Sequence, residues 1–177
     1  MEIAKSKTIT IREFVPDDAV AFTAACLESM GTVGKWMAWC HGEYTNEEAT
    51  AWISICAREF EAGSSYDFGI FRNSDSMLIG SIAINQLDKA NKIGNIGYWV
   101  RETQQNHGYA LQAVELVKDF GFRQLQLARL EIVVLTENAA SIAVAEKSGA
   151  EFECIAKSRL MHEGRARAAT IYSFTTV

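Results

Sequence analysis

The stretch Gly97-Tyr98-Trp99-Val100-Arg101-Glu102-Thr103-Gln104-Gln105-Asn106-His107-Gly108-Tyr109-Ala110-Leu111 decides how the rest of this chain is read. Its first four residues read as the end of a strand. From Gly108 onward the apolar residues Leu111, Val114 and Val117 fall at helical spacing. A loop between a strand and a helix N-terminus presents N–H groups that lack an intrahelical partner, and it adds the positive end of the helix dipole. That combination suits a phosphate or pyrophosphate. Gly108 has no Cβ to hold the main chain away from an anion, and Ala110 is small. The same residues also fit an ordinary helix-opening turn. The loop is neither G-x-x-x-x-G-K-[ST] nor G-x-G-x-x-G, which argues against a nucleoside triphosphatase and a dinucleotide fold.

Working outward, Thr8 to Phe14 alternates as a strand, and Pro16 precedes a helix over Asp17 to Ser29. Thr45-Asn46-Glu47-Glu48 has the form of a capping box opening a second helix through Phe60, closed by Gly63. Tyr66 to Phe71, Met77 to Gln86 and Ile96 to Val100 read as an antiparallel meander turning at Asn73 to Ser76 and Asp88 to Asn91. The helix from Gly108 runs to Phe122. Arg129 to Leu135 is a buried strand and Asn138 to Ser148 a helix, and a hairpin pairs Phe152 to Met161 with Arg165 to Thr175 across Glu163-Gly164. The order β-α-α-β-β-β-α-β-α-β-β predicts an α/β (α+β) fold, a mixed and mostly antiparallel sheet with helices packed on it. No linker divides residues 1–177, which read as one domain.

Composition narrows the function. At 49% hydrophobic and 22% charged, the chain has the make-up of a soluble globular protein. Residues 1–14 lack the apolar stretch of a signal peptide and no apolar run is long enough for a bilayer, so the expectation is cytoplasmic, with no membrane partner. Seventeen basic against 22 acidic residues argue against direct nucleic-acid binding. Cys26, Cys40, Cys56 and Cys154 form no C-x-x-C pair and no histidines stand at ligand spacing, so no metal is expected and the reduced thiols read mostly as small hydrophobes.

Gln105-Asn106-His107-Gly108-Tyr109-Ala110 resembles the Q/R-x-x-G-x-G/A signature of the GNAT superfamily of N-acetyltransferases. Gly97 to Val100 is similar to the G-Y-W-hydrophobic strand of its RimJ/RimL type, the ribosomal-protein N-terminal acetyltransferases. Asn138-Ala-Ala-Ser141 with Glu146-Lys147-Ser148-Gly149 resembles the N-x-x-S…E-K-x-G-F block, and Gly164 to Ser173 the terminal hairpin. The matches run in order from about Thr8 to the C-terminus. The resemblance implies a GNAT-like sheet with helices on both faces and acetyl-CoA as cosubstrate. It also implies an amine acceptor, a protein N-terminus or a small amine, attacking directly in a ternary complex. The strand end Trp99-Val100 would pair with the pantetheine arm. Gln105, Asn106, His107, Gly108, Tyr109, Ala110 and Leu111 would hold the pyrophosphate, and Asn138 and Ser141 would contact the pantetheine and thiol.

Acetyl transfer needs a base for the ammonium proton and is helped by an acid for the thiolate. The tyrosine many GNAT enzymes use as acid is replaced by Ala145; the resemblance gives that role to Ser141, which could equally bond within its own helix turn. Tyr66 and Asp67 open the meander, one facing each side. Asp67 is the better base, Glu102 a second candidate, and both could equally be solvated. Trp36 to Trp39 could wall the acceptor pocket or belong to the core, and Met161 to Glu163 could face it from the hairpin tip. The alternatives are a small-molecule amine acetyltransferase and a non-catalytic acetyl-CoA sensor or scaffold. A homodimer is compatible with the sequence, which does not decide it.

Overall fold

The computed structural model describes residues 2–176. Residues 1 and 177, the ends of the expected domain, lie outside the described residues. The chain runs β1 (Glu2–Lys5), β2 (Ile9–Glu13), α1 (Ala19–Glu28), α2 (Asn46–Ala62), β3 (Tyr66–Arg72), β4 (Leu78–Asp88), β5 (Ile93–Val100), α3 (Tyr109–Asp119), β6 (Arg129–Leu135), α4 (Ala139–Lys147), β7 (Glu151–His162) and β8 (Arg165–Thr175). These strands form a single sheet in the order β1-β2-β3-β4-β5-β6-β8-β7, antiparallel everywhere except between β5 and β6.

The local devices act as their residues dictate. Thr45 N–H donates to Glu48 Oε2 at 2.8 Å and Glu48 N–H to Thr45 Oγ1 at 3.2 Å, a reciprocal capping box, while Gly63 ends α2 in the left-handed conformation at φ 62°. Before α1, Arg12 grips Asp18 through two 2.8 Å hydrogen bonds. Glu163 (φ 48°) and Gly164 (φ 70°) form the two-residue turn that joins β7 to β8.

Neighbouring residues of the central strands point to opposite faces. Phe68, Ile70, Ile79, Ile82, Ile84 and Ile96 pack with Ala113, Val114 and Val117 of α3 and Ala145 of α4. Phe71, Leu78 and Trp99 turn the other way, against Phe22 and Cys26 of α1 and Ile53 of α2. Helices therefore cover both faces of the mixed sheet, as expected.

Two details differ from the sequence reading. β1 is an added edge strand whose four residues EIAK carry no alternating pattern strong enough to announce it. The helix from Gly108 is α-helical only to Asp119, and Phe120–Gln124 continue as a wider π turn. The cysteines mostly pack as small hydrophobes, as expected: Cys26, Cys40 and Cys56 are buried and Cys154 is exposed on β7.

Candidate active site

The parallel pairing of β5 with β6 extends only over Ile93–Asn95 against Arg129–Glu131. Beyond it β6 stays paired to β8 as far as Leu135, and β5 stays paired to β4 as far as Val100, so the two strands diverge. The sheet opens there into a slot. Its rims are strand edges with main-chain groups directed at no neighbouring strand, able to add an extended ligand as another strand would.

At the wide end of the slot the chain leaves Val100 through a short 3₁₀ turn (Glu102–Gln104) and enters α3. Asn106 (φ 64°) and Gly108 (φ 76°) both take the left-handed conformation. Among the described residues, none of the main-chain N–H groups from Asn106 to Leu111 has a hydrogen-bond partner, and no side chain caps α3. A Cβ built on Gly108 would meet nothing within 4 Å, so that side of the turn is open. Free amides converging at a helix start form an anion cradle. His107 Nδ1 lies 2.7 Å from Gln105 O, and its ring stacks on Tyr109.

The loop is held by its neighbours. Glu28, in the last turn of α1, accepts from the Arg101 guanidinium and from both the N–H (2.9 Å) and Oγ1 (2.7 Å) of Thr103. The Arg101 partner holds its carboxyl at about 2, well below the ordinary 4.5. Ser29 Oγ accepts from Glu102 N–H at 3.0 Å, and Arg72 Nη1 donates to Gln104 Oε1 at 2.8 Å. Gln105 Nε2 donates to Val100 O at 2.9 Å, so one lone pair of that carbonyl, on the expected pantetheine rim, is already engaged.

The start of α4 borders the slot on the α3/α4 face. Asn138 Oδ1 accepts from Ser141 N–H at 3.2 Å and caps the helix, leaving its Nδ2 without a partner among the described residues. Ser141 Oγ lies 2.9 Å from Tyr98 Oη, which also donates to Ser141 O at 3.1 Å. Burial pushes the Tyr98 phenol up to about 12, so it keeps its proton at neutral pH. Ala145 is fully buried in the core, with no proton to handle.

On the opposite face, under α1 and α2, lies a cavity of about 270 Å³. Asp67, Ala83 and Gly97 form one row across β3, β4 and β5, with Ser81 and Asn85 beside it, and Trp39, Tyr44, Trp52 and Trp99 stand among its walls. Tyr98, the partner of Ser141, also borders it. Strand alternation thus sends Asp67 into the cavity and Tyr66 to the far side, against Phe60 and Phe120. Desolvation raises the Asp67 carboxyl above its ordinary 3.8 and the nearby Glu59 adds to the shift, while a 2.5 Å hydrogen bond from Ser65 Oγ opposes it.

Some sequence candidates stand elsewhere. Glu102 is exposed, accepts from Thr32 Oγ1 at 3.2 Å and does not border the cavity, since it stands on the 3₁₀ turn that follows β5. The Trp99 ring faces Phe22 and Trp39, so only its main chain borders the slot. Met37 and Trp39 do line the cavity, whereas Trp36 stacks on His162 and ties the β7–β8 tip to the α1–α2 connection. The sequence reading missed Tyr98 as the partner of Ser141, and Phe22, Tyr44 and Trp52 as cavity walls. Apolar residues on helices read first as core, and nothing in the sequence reveals a contact between residues 43 positions apart.

Among the described residues, no group of three or more His, Cys, Asp or Glu could hold a metal ion, and no helix is long and apolar enough to cross a membrane. The family model described as the acetyltransferase (GNAT) domain matches residues 8–151. The protein named Probable N-acetyltransferase YjcK of Bacillus subtilis (strain 168) is 32% identical over 162 residues, covering 90% of both chains. The ribosomal-protein-serine acetyltransferase of Escherichia coli (strain K12) is 29% identical over 104 residues, 58% of this chain and 57% of that one. The solved RimL ribosomal L7/L12 alpha-N-protein acetyltransferase in complex with coenzyme A superimposes with a TM-score of 0.89 at 21% identity, covering 99% of this chain and 98% of that chain, and so shares the fold. Split sheet, amide-lined turn and sequence match agree: the chain belongs to the acetyltransferase (GNAT) family.

Proposed function

We propose that the protein transfers the acetyl group of acetyl-CoA to a primary amine by direct attack in a ternary complex. The carrying observation is the turn at residues 106–111, whose unpartnered N–H groups meet the start of α3 beside an open slot between β5 and β6. Those amides suit a pyrophosphate, the slot edge at Val100 suits the amide groups of a pantetheine arm, and the free Nδ2 of Asn138 is placed to donate to it. Acetyl-CoA bound there supplies an activated thioester at the narrowing of the slot, between Ser141 and the cavity.

The residues divide the proton work. Asp67 takes the ammonium proton of the acceptor, directly or through one water, and its raised carboxyl makes it a stronger base than a solvated aspartate. Ser141 gives its hydroxyl proton to the departing thiolate and regains one from water, while Tyr98 Oη, 2.9 Å away, holds the serine hydroxyl in place. A thiolate is a far better leaving group than an alkoxide, so this acid assists the step more than it enables it. A non-catalytic sensor would need the cofactor turn but neither Asp67 nor the cavity around it.

The test is release of free thiol from acetyl-CoA with a panel of amines and amino-terminal peptides. Turnover with at least one primary amine is the expected result. Tight coenzyme binding with silence across a broad panel would establish the sensor instead.

A further inference from the structure

The cavity that receives Asp67 has a restricted chemistry. Half of its lining residues are aromatic: Phe22 packs on Trp52 at 4.6 Å and on Trp99 at 5.4 Å between ring centres, and Trp39 on Trp99 at 5.5 Å. Asp67 is the one carboxylate among the lining residues, which include no Lys, Arg or His. The other polar side chains of the lining are neutral: Ser81, Asn85, the tyrosine hydroxyls and the indole N–H groups. Trp39, 38% exposed, stands at the mouth, while Phe22 and Trp99 are buried behind it.

Each feature selects. The volume of about 270 Å³ corresponds to about nine water molecules, enough for one amino-terminal residue or a small free amine and too little for a folded segment. A single ammonium finds Asp67 and the negative faces of the rings. A second ammonium would be desolvated with no counter-charge, and a carboxylate next to the amine would face Asp67. The remaining wall is largely aromatic and favours an apolar or aromatic partner, with Met37 able to adjust to its shape.

Resting on the transferase reading above, we infer that the acceptor is a monocationic primary amine carried on a compact apolar or aromatic body. Two sources share that chemistry: a peptide amino terminus whose first side chain is large and apolar, and a free arylalkylamine. Polyamines, amino sugars with several ammonium groups, and amino termini beginning with Asp or Glu are poor acceptors.

The test measures kcat/KM, by thiol release from acetyl-CoA, for peptides that differ only in a first residue of Phe, Leu, Ser or Asp, together with phenethylamine and spermidine. The inference predicts that the Phe or Leu peptide, or phenethylamine, exceeds the Ser peptide at least tenfold, with the Asp peptide and spermidine lowest. Which of the apolar acceptors leads identifies the source. Trp39→Ala should shrink the Phe-to-Ser ratio mainly through KM for the Phe peptide. Good turnover with a flat ranking, or with Ser, Asp or spermidine leading, overturns this inference and leaves the transferase reading standing. Silence on every amine overturns both.

Discussion

Asp67 is held in a conflict between stability and reactivity. Its carboxyl, raised by desolvation, is protonated more readily in the folded state than in the unfolded one. By linkage, the stability this provides is present below the unfolded value of 3.8 and is lost as pH rises through the folded value, so the ionised form burdens the fold at neutral pH. Asp67→Asn should therefore raise Tm at pH 7, and the gain should vanish in acid. The same substitution should lower kcat by about 10²-fold or more if Asp67 is the base. In the wild type, kcat/KM should climb with pH through a midpoint above the ordinary aspartate value of 3.8, and this limb should be absent from the variant. An unchanged rate would remove Asp67 from the mechanism. Ser141 and Tyr98 form the second residue-scale unit. Ser141→Ala should reduce kcat by no more than about 10²-fold, the low end for proton transfer, with coenzyme affinity preserved. Tyr98→Phe should give a smaller loss in the same direction, because the hydroxyl it abandons survives. Equal coenzyme affinity and equal turnover in both variants would leave Ser141 as a helix-turn residue only.

Between elements, the end of α1 and the cofactor turn act as one body. Phe22 of α1 walls the cavity, and six residues along Glu28 binds Arg101 and Thr103. Glu28→Gln replaces charge-assisted hydrogen bonds by weaker ones. It should cost about 1.5–3 kcal/mol of stability and weaken coenzyme binding, although Glu28 need not touch the coenzyme. Because the Glu28 carboxyl is lowered to about 2, its contribution is present above the ordinary 4.5 and lost as pH falls towards 2. The stability gap between wild type and variant, followed by denaturant unfolding, should close across that interval. A pH-independent gap would mean that the charge of Glu28 does not matter. The elements themselves were readable where a local rule governs them: the capping box at Thr45, the Gly63 stop and the two-residue turn at Glu163-Gly164. They were not readable where the partner decides. β1 exists because Glu2–Lys5 pairs along β2, and at the π turn the Phe120 ring packs against Tyr66 and Phe68, contacts that no local spacing announces.

For the whole molecule, one sheet brings together two half-sites that the sequence keeps apart. The strand-to-helix turn at residues 106–111 was legible because its residues are contiguous, and Asp67 was legible only as one of two strand neighbours until alternation placed it in the cavity. The aromatic walls of the cavity come from α1, the α1–α2 connection, α2 and β5, and no spacing rule connects Phe22, Trp39, Trp52 and Trp99. The central claim concerns the turn at 106–111, and it is tested most directly by calorimetric titration of coenzyme A into the wild type and into Gly108→Glu, with circular dichroism verifying that both are folded. The account predicts saturable one-to-one binding to the wild type and its loss in the variant, where a carboxylate stands in the anion cradle. Absence of heat with folded wild type, or equal affinity in the two proteins, would contradict it.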